Sequence, residues 1–335
     1  MWRLDRYGFP NPMSSLEILV QQLITGLSNG MIIALIALGY TMVYGIVELI
    51  NFAHGDLFML GTFLSLTIVG VLGLDTAASG GGTAGGLALM MVVVPCFCAG
   101  LNWTVDRVAY RPLRNAPKLA PLVAAIGVSF IFMNLGQFWG GLPMDVFSGG
   151  RSAAAPKNFP PIVPNTNLLP LLGLTTAVQF TWRDLLVFGV TIPLLTGLTL
   201  FVKYATLGKA MRATAQNPTA AALMGIDINR VIGVTFAIGG ALAGFAAVVY
   251  PLFNPTIYFQ LGFRTGMDAF TAAVLGGIGN LPGAMLGGIF IGLVRAMSDQ
   301  YIAARWTNSI VFGVLVLILI FRPSGILGAR TRDKV

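Results

Sequence analysis

This sequence predicts an all-α fold, a polytopic transmembrane helical bundle with about eight hydrophobic spans in one domain covering residues 1–335. Three observations predict it. Of the residues, 56% are hydrophobic and only 10% are charged, against about 25% charged in soluble domains. The mean hydropathy is +0.82. The apolar residues fall in long charge-free stretches, and a helix needs about 20 such residues to cross the hydrocarbon core. No room is left for a soluble domain. The net charge of +8 is dispersed along the chain, which argues against a nucleic-acid partner and reports orientation instead. Met1 to Ser15 have no apolar h-region and no small-residue cleavage site, so the first span is expected to serve as signal and to stay in place. Cys96 and Cys98 lie inside an apolar run. A lone C-x-C pair falls short of the roughly four ligands zinc takes, and both cysteines read as small buried packing residues.

The stretches between consecutive charges are 18–47, 57–74, 76–105, 119–144, 158–182, 185–202, 231–263, 269–294 and 306–321. Residues 158–182 contain Pro160, Pro161, Pro164 and Pro170 with Asn165 and Asn167 among them, and such a run cannot satisfy its backbone as a lipid-facing helix. Residues 142–183 are therefore expected to form a loop outside the membrane, which leaves eight hydrophobic stretches. Arg107, Arg111, Arg114 and Lys118 follow one stretch, Lys203, Lys209, Arg212 and Arg230 lie in 203–230, and Arg322, Arg330, Arg332 and Lys334 are in the tail. The long loop has only Arg151, Lys157 and Arg183. The positive-inside rule makes the three basic segments cytoplasmic and the loop external. The side of the N-terminus stays open: Arg3 and Arg6 argue for inside, and alternation counted back from residue 107 argues for outside.

Parity then constrains the second half. The chain is outside after the span ending near Pro251 and inside after 306–321, so residues 266–297 must cross an even number of times or dip in and return. Their middle, "GGIGNLPGAMLGG", predicts two short helices meeting at Asn280 to Gly283. Interrupted helices at membrane depth survive only where protein or a water-filled cavity covers them. Residues 46–61, "IVELINFAHGDLFMLG", interrupt two apolar helices in the same manner with Glu48, Asn51, His54, Gly55 and Asp56. The two broken elements, one in each half, suggest an internal two-fold duplication.

Several blocks carry a family pattern: "GLSNGMIIALIALGYTMVYGIVELINFAHGDLFMLGTF" (26–63), "RVAYRPLR" (107–114), "LVAAIGVS" (122–129), "GKAMRATAQNPTAAALMGIDINRVI" (208–232), "AFTAAVLGGIGNLPGAMLGGIFIGL" (269–293) and "PSGILG" (323–328). In this order they resemble the branched-chain amino-acid ABC importer permeases, and among them the smaller, H-type subunit. The resemblance implies a subunit that moves branched-chain or other hydrophobic amino acids across the plasma (inner) membrane of a prokaryote. It also implies partners: a second related permease, two cytoplasmic ATPase subunits that bind ATP, and an extracytoplasmic substrate-binding protein. The wider family includes permeases for urea or short-chain amides, so that cargo stays open.

The chain itself offers no nucleotide site or other cofactor site. Gly208-Lys209-Ala210 lacks the Ser or Thr of a phosphate-binding loop, and Lys203 stands where its first Gly belongs. An enzyme would need a nucleophile with a base or a metal cluster, and one histidine with few acids offers neither. A secondary transporter would usually carry coupling carboxylates within its spans, whereas Glu48, Asp56 and Asp268 stand at span margins. In loop 203–230, Asn217 suits an N-cap, Pro218 the first helical position and Gly225 the position just past the end. With Ala221 and its neighbours between them, these residues spell a short helix, and the resemblance implies that it docks on the ATPase, with Arg212 nearby. Asn51, His54 and Asp56, with Asp268 in the second broken element, either line the translocation path or bond backbone groups freed by the helix breaks. A proton role for His54 is a third reading. The spaced glycines Gly26/Gly30, Gly240/Gly244, Gly283/Gly287 and Gly288/Gly292 allow close helix approach, either within the chain or against the partner permease.

Overall fold

A computed structural model of the protein describes residues 2–4, 10–12, 14–47, 51–74, 80–114, 116–117, 119–173, 176–322 and 324–328. In chain order the helices are α1 (Ser15–Val47), α2 (Ala53–Leu72), α3 (Gly80–Val105), α4 (Leu119–Gly140), α5 (Trp182–Tyr204), α6 (Thr206–Gln216), α7 (Pro218–Leu223), α8 (Ile228–Phe253), α9 (Leu261–Gly276), α10 (Leu281–Ser298) and α11 (Thr307–Phe321). α3 runs on through a π turn, Asp106–Tyr110, and a 3-10 turn, Arg111–Leu113. Seven of these helices, α1 to α5, α8 and α10, are long and apolar enough to cross a membrane. The protein is thus a multi-pass membrane protein. α11 is a shorter apolar helix of 15 residues.

The bundle has a packed centre and an outer ring. The most apolar windows of α1, α2 and α8 are 78%, 67% and 72% buried, against 28%, 22% and 22% for α3, α4 and α5. The outer helices turn large apolar side chains such as Val123, Phe130, Phe138 and Leu200 outward, as lipid or a partner helix requires. Small residues set the central contacts. Gly26 and Gly30 of α1 lie against Gly288, Ile289 and Gly292 of α10, where a Cβ on Gly30 would sit 2.7 Å from the Ile289 Cα. Gly240 and Gly244 of α8 meet α3 at Cys98, Asn102 and Pro95, and Gly283 and Gly287 meet α9 at Gly276 and Ala272. All four glycine pairs are thus used inside the chain. Cys98 is buried with its Sγ 3.8 Å from the Leu57 carbonyl, but Cys96 is exposed on α3, so only one of the two cysteines is a packing residue.

The ends of the helices define two faces. On one lies the long loop, whose Lys157–Asn158 strand pairs antiparallel with Thr256–Ile257 after α8. Buried Lys157 donates from Nζ to the Phe147 and Ser152 carbonyls at 3.1 and 2.7 Å, and burial pushes its pKa down. The start of α1 belongs to the same face: the Gln21 amide exchanges hydrogen bonds with the Gln179 main chain at 3.3 and 2.7 Å. On the opposite, basic face lie Arg107 to Arg114, α6, α7 and residues 324–328.

Residues 266–297, expected to hold two short helices meeting at Asn280 to Gly283, do form parts of two helices, α9 and α10. α9 runs from the loop face to the basic face and α10 returns, which meets the even-crossing requirement. The break lies at residues 277–280, slightly ahead of the expected Asn280 to Gly283. Gly277 and Gly279 make the turn with φ of +102° and +91°, a region open to glycine at little cost. Pro282 does not break anything; it sits in the first turn of α10, where its missing N–H costs no bond. The Asn280 Oδ1 caps that helix by accepting from Gly283 N at 3.0 Å. The free C-terminal carbonyls of α9 are met from the tail: Ile326 N donates to Leu275 O at 2.8 Å and Leu327 N to Gly276 O at 3.1 Å. The Asn280 Nδ2 donates to Leu327 O at 2.6 Å and completes this strap.

The charge-free stretch 231–263 overstates its span. α8 stops at Phe253, because Pro255 disfavours helical geometry at Asn254; a turn and the start of α9 fill the rest. Glu48, Lys118, Pro323, Arg330, Arg332, Lys334 and Arg6 lie outside the described residues.

Candidate functional site

The first break places Asn51 just ahead of α2, buried at 4% exposure. Its Oδ1 accepts from the Tyr110 hydroxyl at 2.8 Å, and its Nδ2 donates to the Asn102 Oδ1 at 3.4 Å. The Asn102 Nδ2 donates in turn to the Phe236 carbonyl at 2.6 Å. One chain of side-chain bonds therefore ties the start of α2 to α3, the π turn and α8. The Asn51 carbonyl also accepts from His54 N at 3.1 Å.

His54 is 1% exposed. It stands edge-on to the Tyr40 ring at 4.8 Å between centroids and over Gly39, whose lack of a Cβ leaves room for the imidazole. Neither ring nitrogen has a hydrogen-bond partner among the described residues. Asp56, also 1% exposed, accepts a hydrogen bond from the Ser129 hydroxyl of α4, while its Oδ1 has no partner among the described residues. Gly55 and Gly262 let α2 and α9 approach closely here.

Asp268 stands elsewhere and in a different setting. It lies inside α9 rather than in a break. Its two carboxylate oxygens accept from the Nη1 of Arg295 on α10 at 2.6 and 2.5 Å. The pair lines a polar cavity of about 450 Å³ open toward the loop face, with Asn29, Asn254 and Asp299 in its wall. Asp268 also borders a second cavity of about 740 Å³ between α4, α9 and α11. The four polar residues singled out from sequence therefore form two groups, not one.

The coupling-loop candidates sit together on the basic face. Asn217 caps α7 by accepting from Ala220 N at 3.0 Å, and Pro218 holds the first turn. The C-terminal end is a Schellman motif: Ile226 N donates to Ala221 O at 3.1 Å and Gly225 N to Ala222 O at 3.0 Å, with Gly225 at φ +83°. This double closure needs a left-handed residue, which glycine supplies. Ala221 is the buried side of the helix, at 3% exposure, while Leu223 and Met224 stand 84% and 83% exposed. The Arg212 Nη2 donates to the Lys203 carbonyl at 3.0 Å and lines a cavity of about 710 Å³ that reaches Gly279 and Asn280.

Several partners escaped the sequence reading: Asn102, Tyr110, Ser129, Arg295, Leu223 and Met224. Arg295 left a trace, because it and Asp268 are the two charges bounding the stretch 269–294, and folding that stretch into a hairpin sets them on facing helices. The exposed apolar pair on α7 was also visible as a Leu-Met step just before the capping glycine.

No solved structure matches the chain. The family described as branched-chain amino acid transport system / permease component matches residues 22–320. The LivH permease protein of Escherichia coli strain K12, described as part of a high-affinity branched-chain amino acid transport system, is 38% identical over 319 residues, covering 94% of this chain and 97% of that protein. The corresponding BraD protein of Pseudomonas aeruginosa is 39% identical over 323 residues, covering 94% and 98%. LivM of Methanocaldococcus jannaschii, a probable branched-chain amino acid transport permease, matches a shorter part, 31% identical over 134 residues and 36% of this chain. With the family matched across nearly all of its spans, the chain belongs to the permease components of branched-chain amino acid transport systems.

Proposed function

We propose that this chain is the H-type permease subunit of an ATP-driven importer for branched-chain or other hydrophobic amino acids, seated in the inner (plasma) membrane of a prokaryote. The observation that carries the reading is near-full-length similarity, at 38–39% identity, to permeases named for branched-chain amino acid transport. In this reading a second, related permease packs beside the chain, and two ATPase subunits sit under the basic face. A soluble binding protein delivers cargo at the loop face. The architecture supports the assignment of the ATPase side, since α7 presents Leu223 and Met224 away from the bundle on the face richest in Lys and Arg. Exposed apolar side chains on a capped helix suit insertion into a groove.

The test is reconstitution of the complex in liposomes with ATP inside and loaded binding protein outside. Leucine, isoleucine and valine should accumulate and urea and acetamide should not; uptake of urea or acetamide alone would overturn the cargo assignment. Sidedness is tested in intact cells with Ser152→Cys and Ala215→Cys, each made in a background with Cys96 and Cys98 replaced. A membrane-impermeant thiol reagent should label the first and spare the second, and the reverse pattern would invert the topology.

A further inference from the structure

Three residues border both cavities on the α9 side of the bundle. Tyr258, Arg264 and Asp268 line the polar cavity of about 450 Å³ and also the cavity of about 740 Å³ beyond it. The two spaces differ in chemistry. The first is walled by groups such as Gln22, Thr25, Asn29 and Asn254, with Arg295 and Asp299. The second has an apolar wall of Phe52, Ile126, Phe130, Met133, Met267 and Phe312. Its polar edge includes the shared three and Ser129. We infer that Tyr258, Arg264 and Asp268 form a threshold that reads the charged head of a zwitterionic α-amino acid, and that the apolar cavity beyond is this subunit's half of the compartment for its side chain. The inference rests on the importer reading above.

Charge complementarity argues for this occupant. Arg264 and Arg295 face Asp268 and Asp299 around the polar cavity, so the ring has no net charge and favours a ligand that also has none. Within the ring the charges are not equally engaged. Arg295 is committed to Asp268, whereas Arg264 is exposed, makes no ion pair among the described residues and spends one donor on Tyr258, leaving most of its N–H groups open. A guanidinium with free donors suits a carboxylate, which it can bind through two parallel bonds. Each Asp268 oxygen retains acceptor capacity after its bond from Arg295, which suits an ammonium group, while Tyr258 steadies Arg264 through a side-chain hydrogen bond. The volume beyond the threshold falls within the roughly 300–1,000 Å³ of small-molecule sites, and its phenyl and thioether lining fits a branched aliphatic side chain. The polar cavity opens on the loop face, where cargo would arrive.

The test compares wild type, Arg264→Gln and Arg264→Lys in the reconstituted complex at saturating leucine-loaded binding protein, following both leucine uptake and ATPase rate. Arg264→Gln should lower uptake about tenfold or more, the scale of one lost charge-assisted bond, while loaded binding protein still stimulates ATP hydrolysis. Arg264→Lys should recover part of the uptake. Wild-type uptake in Arg264→Gln would overturn the inference and leave the apolar cavity as a crevice for lipid or the partner subunit. Joint loss of uptake and stimulation in both variants would overturn it too, because Arg264 would then serve docking or folding. A wild-type complex that imports no amino acid would instead defeat the importer reading, an outcome visible before any variant is compared.

Discussion

The two breaks in the bundle use similar residues and are closed by opposite means. Between α1 and α2 the closure is made of side chains: Tyr110, Asn51, Asn102 and the Phe236 carbonyl form one buried relay. Between α9 and α10 it is made largely of main chain, with Ile326 and Leu327 bonded to the last carbonyls of α9. The first closure is enclosed by three other elements. The second lies at the basic face, beside the cavity shared with Lys203, Met211 and Arg212. A relay of side chains locked in a core resists displacement, whereas a strap that docks by a few backbone bonds can shift as a unit. In the proposed importer the first break would act as a fixed support and the second as the joint that motion of α6 and α7 would reach.

The largest expected effect comes from blocking the strap. In Gly277→Val a Cβ would lie 2.5 Å from Gly328 N, at a φ of +102°. Backbone strain of about 1–3 kcal/mol adds to overlap of about 1–3 kcal/mol. The thermal midpoint of the purified protein in detergent should fall sharply, and an unchanged midpoint would show that the strap contributes little. Next is Asn51→Ala, which strands the Tyr110 hydroxyl and the Asn102 carbonyl oxygen at about 1–3 kcal/mol for a buried unsatisfied group. The same measurement should show a clear loss, and a neutral result would mean that water replaces the relay. Smaller still is Asn280→Ala, which removes one helix cap, typically about 1 kcal/mol, and one bond to the strap. Hydrogen exchange should quicken at the Ile326 and Leu327 amides and stay unchanged at the His54 amide. Equal acceleration at both breaks would erase the distinction between them.

What the sequence revealed follows the range of the forces involved. The prolines of residues 158–182 and the charges bounding the spans are local signals, and the loop and the helices came from them. α7 was legible for the same reason, since Asn217, Pro218 and Gly225 act on their immediate neighbours. The exact position of the second break was misplaced because Pro282 reads as a breaker, while in the structure it starts a helix and two glycines make the turn. The relay at Asn51 was not legible, because its partners lie 51 and 59 residues away and nothing local distinguishes Asn102 or Tyr110 from other polar residues near a span end. Asp268 was grouped with Asn51, His54 and Asp56 by residue type, and only the hairpin of α9 and α10 shows that it belongs with Arg295.

Gly225→Val tests coupling through α7 most directly. The left-handed φ of +83° penalises a β-branched residue, yet no atom lies within 4 Å of the added Cβ, so the spans should fold while the end of α7 is mis-aimed. Arg212→Glu is the mild comparator, since an exposed charged side chain contributes little to stability. The experiment measures leucine uptake and ATPase rate in liposomes at matched complex levels. Gly225→Val should assemble normally, lose uptake and lose the stimulation of ATP hydrolysis by loaded binding protein. Unchanged uptake with unchanged stimulation would contradict this, leaving α7 a connector and moving the coupling to another basic segment such as 106–118.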